Sequence, residues 1–174
     1  MKSITIKHNL HAMILVLIMP FICWLILGYK PSSISDIYNS NCIPLFVAML
    51  TYAGSVFIRD SQDITSRKYN LIFGVSLIMI GITQHTHVWI KYPHFFFASV
   101  FYLGHAIVIP WLSIPSERWW KLLISVFGII APITLGVLTN RGVINSQINL
   151  FDGENISNLF ITSHYYLEMT NKTS

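Results

Sequence analysis

The chain has 174 residues, 53% of them hydrophobic and only 10% charged, where an ordinary soluble domain carries about 25% charged residues. That composition excludes the soluble globular class and points to a bilayer. The formal net charge of +4 and the pI near 9.1 are no nucleic-acid footprint, because the basic residues stand between apolar runs and form no patch interleaved with aromatics.

About 20 apolar residues cross a hydrocarbon core of about 30 Å, and stretches of 17 or more residues without Asp, Glu, Lys or Arg recur along the chain. The pattern predicts an all-α, polytopic transmembrane helical bundle with five clear spans and a weaker sixth, forming one integral membrane domain over 1–174. The first span runs approximately from Leu10 to Tyr29. Its flank with Lys2 and Lys7 also suits a signal peptide, but the apolar run is long and no small-x-small cleavage pattern follows, so it reads as an uncleaved helix. Further spans run from Ile43 to Ile58, Asn70 to Ile90, His94 to Ser113 and Leu122 to Thr139. The weak sixth, Ile156 to Met169, is short for a crossing and stops in the polar tail T-N-K-T-S.

Pro20, Pro44, Pro110 and Pro132 fall within or at the edges of spans, where each can kink its helix. Gly74, Ser76, Gly81, Ala98, Gly104 and Ala106 let backbones approach closely, which matters where lipid gives helices no hydrophobic drive to associate. Tyr29, Trp89, Tyr92, Trp111, Trp119 and Trp120 cluster near span ends as interfacial belts do. If the amino terminus is cytoplasmic, that side holds Lys2, Lys7, Arg59, Arg67, Lys68, Arg118 and Lys121, against Lys30, Lys91 and Arg141 outside. The positive-inside rule therefore predicts a bacterial inner-membrane protein with its amino terminus inside. A Cys23–Cys42 bridge would need the first helix to bring mid-membrane and interface depths together, and no Cys-x-x-Cys metal signature is present.

The segment K-P-S-S-I-S-D-I-Y-N-S-N, residues 30–41, carries Ser33 and Asp36 at close to the spacing of a capping box, so the second helix has a possible start near Ser33 rather than Ile43. Asp36, Asn39 and Ser40 would then share one face. With the topology above, this segment and the turn between the third and fourth spans both face outward. That turn holds His85 and His87, with His94 just beyond. His85 and His87 are two residues apart, about 200° around a helix, so only one can face the bundle. Thr83, Gln84 and His87 share a face, which makes His87 the candidate. Asn39, Gln84 and His94 are further pocket candidates. His105 lies about 16 Å deeper than His94 on nearly the same face, and His164 and Glu168 align four residues apart in the last helix.

Imidazole and carboxylate suit zinc, iron or nickel, while the plainer reading has interfacial histidines bonding headgroups, water or carbonyls. No Gly-rich phosphate loop, G-x-S-x-G elbow or H-E-x-x-H is present. Asn155-Ile-Ser and Asn171-Lys-Thr fit glycosylation acceptors, which matter only in a secretory pathway.

The run S-I-S-D-I-Y-N-S in 33–40, with His94 opening the fourth span and Glu168 in the last, resembles a group of small multi-pass bacterial membrane proteins that bring no activity with them. More distantly, Ile34-Ser35-Asp36-Ile37-Tyr38-Asn39-Ser40, Thr83 to His87 and H-Y-Y-L-E from His164 resemble motifs of the alkaline ceramidases and adiponectin-receptor-like hydrolases, which hold an intramembrane zinc. That resemblance implies His87, His164 and Glu168 as metal ligands, with Asp36 and Thr83 as catalytic neighbours. The chain departs from it by threonine for serine, glutamate for the last histidine, and one span fewer. Three readings follow: a membrane protein that binds lipid or a partner in an outward-facing polar pocket, a zinc-dependent hydrolase of a lipid amide or ester, and a small transporter using His105 and His164.

Overall fold

The computed structural model describes residues 2–63, 68–83, 88–113, 115–142 and 148–170, with side chains described except at 2–7, 35, 38–39, 63, 88–91, 115–116 and 140. All regular structure among them is helical: α1 Lys2–Leu27, a 3-10 turn Ile34–Asn39, α2 Ile43–Asp63, α3 Tyr69–Ile82, α4 Val88–Leu112, α5 Pro115–Asn140 and α6 Leu150–Thr170. Four helices, α1, α2, α4 and α5, are long and apolar enough to cross a membrane.

The boundaries differ from expectation for local reasons. α1 stops at Gly28, whose φ of +70° suits glycine and whose N–H returns to the Trp24 carbonyl at 3.0 Å. The Ser33 capping box forms, with the Ser33 hydroxyl accepting the Asp36 N–H and the Asp36 carboxylate accepting the Ser33 N–H. It starts the separate 3-10 turn, however, and α2 begins at Ile43. The third expected span is realised as only 14 residues, because the backbone leaves helix at Thr83 (φ −92°, ψ 102°). At 1.5 Å per residue α3 is about 21 Å long, short of a hydrocarbon core. α6 begins six residues before the expected Ile156 and has 21 residues, a crossing by length but not by composition. Its polar residues Asn155, Ser157, Asn158, Thr162 and His164 are turned inward and buried.

Successive helices pack against one another and α6 returns to α1, so the six form a closed ring. α2 and α3 meet backbone to backbone. A Cβ on either Gly54 or Gly74 would stand 2.5 Å from the carbonyl oxygen of the other glycine. At the opposite end from the 3-10 turn, the Asp60 carboxylate accepts from Asn9 at 2.7 Å and from Asn70, which joins α1, α2 and α3 through one buried oxygen. Inside the ring, His105 is stacked on Phe73 with centroids 3.8 Å apart and is flanked by Phe101 and Phe57. The outer surface is apolar, and Tyr29, Tyr92, Trp111, Trp119 and Trp120 are exposed at helix ends, where the sequence placed its belts.

Candidate functional site

Two spaces meet in the half of the bundle nearest the 3-10 turn. A small central cavity of about 50 Å³ lies beneath the turn and is lined by Ile34, Phe46, His94, Tyr102, Glu154 and Asn158 among others. A lateral groove of about 510 Å³ runs between the first half of α4, the second half of α5 and the start of α6. Its walls are apolar, with Phe95, Leu103, Ile133 and Val137 exposed on the outer surface. Ala98, Tyr102 and Glu154 line both spaces and therefore stand between them.

The polar groups on this boundary are held in place from several helices. The Glu154 carboxylate accepts the Ile34 N–H at 2.5 Å, which ties α6 to the 3-10 turn. Burial pushes the Glu154 carboxyl up to about 7, the Ile34 hydrogen bond opposes that rise, and the Asp36 carboxylate adds to it. The Tyr102 hydroxyl donates to Asn158 Oδ1 at 3.1 Å. His94, 3% exposed, bonds through Nδ1 to the Thr83 carbonyl at 2.7 Å, which places the ring proton on Nδ1 and makes Nε2 an acceptor. Nearby, Lys30 and Asp152 pair at 2.6 Å, and Asn149 donates to the Pro31 carbonyl at 3.1 Å.

Of the residues singled out from sequence, Thr83 and His94 are brought together here, and Asp36 stands at the same end through the turn it caps. The Thr83 hydroxyl donates to the Met79 carbonyl and the Asp36 carboxylate is used by its cap, so both serve local structure. Gln84, His85 and His87, and the side chain of Asn39, lie outside the described residues. His164 and Glu168 share a face as their spacing required, yet sit toward the other end of α6. His164 Nε2 meets the Ser125 hydroxyl at 3.1 Å, and Glu168 lies 3.8 Å from the ammonium of Lys121. Lys121 is only 2% exposed and also pairs with Glu117 at 3.0 Å. A divalent cation between His164 and Glu168 would stand beside that ammonium, so the described part of the implied zinc trio does not fit a metal. Among the described residues no cluster of three His, Cys, Asp or Glu side chains could hold one.

His105 is engaged at both ring nitrogens, by the Phe101 carbonyl at 2.8 Å and the Tyr165 hydroxyl at 3.0 Å, and is packed in the core. Asn155 is buried and donates to the Phe151 carbonyl at 2.8 Å, which removes it as a glycosylation acceptor. Asn171 lies outside the described residues. Cys23 and Cys42 are both buried and free, and α1 does bring their depths together: the Cys42 thiol lies 3.9 Å from the Cys23 carbonyl.

Glu154, Tyr102, Asn158 and Lys121 were not singled out by sequence reasoning as site residues. Glu154 fell in a stretch read as loop, and the cue that could have found it is its four-residue spacing to Asn158 on the inner face of α6. No curated protein and no solved structure matches the chain. Residues 18–169, nearly the whole of the ring just described, match the family of unknown function DUF7103, and the chain belongs to that family.

Proposed function

We propose that this protein is a multi-pass membrane protein that binds an amphiphile, taking its acyl chain from the bilayer into the lateral groove. The observation that carries this reading is the groove itself, an apolar space open along the lipid-facing side of α4 and α5 with a polar floor at Tyr102 and Glu154. Ligand sites commonly combine apolar walls with a few converging polar groups, and in a bilayer the molecules that fit such walls are lipid chains. The charge distribution between spans supports an orientation in which the 3-10 turn and the groove lie on the outer side of a bacterial inner membrane.

A photoactivatable phospholipid probe with its reactive group on the acyl chain tests this in vesicles. Adducts should concentrate on Leu103 and Ile133, which wall the groove, over Leu25 on the exposed face of α1. The variant Ser99→Trp, which fills the groove from an exposed position, should lower those adducts severalfold and leave Leu25 unchanged. Even labelling of all three residues in the wild type would show only annular lipid and overturn the reading.

A further inference from the structure

We propose that the groove's ligand is an amphiphile headed by a primary ammonium, with the headgroup held at Glu154 between the groove and the central cavity. The proposal rests on the groove reading above and deepens it to a ligand class. Among the described residues that line the two spaces, one carries a carboxylate, Glu154. Glu154 offers a carboxylate with one hydrogen bond made, from the Ile34 amide, and no cation pairs with it among the described residues. Of the hydroxyl donors nearby, Tyr102 is bound to Asn158 and Ser157 to the Gly128 carbonyl.

An ammonium brings three N–H donors and a positive charge to this boundary, which suits a carboxylate that no described cation pairs with. The charged groups around Glu154 favour the same sign. Asp36 adds a like charge, Lys30 is bound to Asp152, and Arg141 lies exposed one turn beyond the groove residue Val137. A phosphate-bearing head would set its own negative charge against Glu154 and Asp36, so the amine must be joined directly to the chain.

The test is competition against the acyl-chain photoprobe in vesicles of a zwitterionic choline lipid at pH 7.5, scored at Leu103 and Ile133. The competitors are a long-chain primary alkylamine, the matched alcohol, the matched carboxylic acid and a phosphoethanolamine-headed lysolipid, compared at equal membrane-bound concentration. In the wild type the amine should compete at least tenfold more effectively than the other three. In Glu154→Gln, which keeps an oxygen acceptor for Ile34, amine and alcohol should become equal. If all four compete equally in the wild type, or Glu154→Gln leaves the amine's advantage intact, the ammonium proposal fails while the groove stands. If the probe never labels the groove, both fail.

Discussion

The carboxylate of Glu154 and the backbone amide of Ile34 lie 120 positions apart in the chain and 2.5 Å apart in space, so the start of α6 is fastened to the turn that roofs the central cavity. The fastening titrates. Because the folded-state pKa of about 7 lies above the ordinary 4.5, the folded chain holds this proton more tightly than the unfolded one. The resulting stabilisation is full below about pH 4.5 and is lost as pH rises through about 7. That interval corresponds to about 3 kcal/mol at about 1.4 kcal/mol per tenfold change in proton affinity. Glu154→Gln keeps the acceptor and removes the titration. The stability of wild type relative to this variant, followed by thermal unfolding in detergent, should therefore fall between pH 5 and pH 8. A difference that stays flat or rises would contradict the burial of this carboxyl.

The backbone crossing at Gly54 and Gly74 leaves no room for a methyl group, since the nearest atom in each case is a carbonyl oxygen that cannot rotate away. Gly54→Ala and Gly74→Ala should each destabilise by about 1–3 kcal/mol through forced separation of α2 and α3. Gly28→Ala is the informative contrast, because its cost comes from a φ of +70° and not from a neighbour. Thermal midpoints in one detergent give the comparison.

Asn9 and Asn70 donate to the same oxygen of Asp60. Replacing either by alanine should cost about 1.5–3 kcal/mol, as for a buried hydrogen bond to a charged group. The double variant should depart from additivity by at least about 0.5 kcal/mol, since both donors act on one acceptor. A double-mutant cycle that closes additively would show that the two amides hold their helices independently.

Lys121 places an ammonium against Glu168 and near His164, the two described members of the zinc trio implied by the ceramidase-like motifs. Treatment of the purified protein with a strong chelator should therefore leave its thermal midpoint unchanged. Metal analysis should find less than one zinc per chain, with no further loss in His164→Ala. Stoichiometric zinc that disappears in His164→Ala would restore the hydrolase reading.

The helices themselves were legible because uncharged runs long enough to cross a bilayer are hard to produce for any other reason. The Ser33–Asp36 box was legible because it depends on neighbours three residues apart. The break after Ile82 was not, since the uncharged run continues to Ile90 and the exit is seen in the backbone at Thr83. Lys121 read as a topology signal on a loop, whereas its burial follows from Glu117 and Glu168 closing on it from two helices. Glu154 was hidden by its setting in F-D-G-E-N, a polar stretch with a glycine that reads as loop. Gly153 is there because α6 crosses Pro132 so closely that a Cβ would stand 2.5 Å from the proline Cα. Pairings across the ring, such as Thr83 with His94, leave no trace in the periodicity of either partner.

The shortness of α3 has a consequence for the membrane around it. Leu71, Ile72, Val75 and Ile82 are exposed on its surface, yet the helix is about 9 Å shorter than a hydrocarbon core of about 30 Å. Tied to α2 at the Gly54–Gly74 crossing, it has little freedom to adjust by itself. In a bilayer that mismatch would be met by the lipid, thinning along that side of the ring and drawing headgroups and water inward. The bundle would thus favour a thin bilayer and bend the sheet in which it sits.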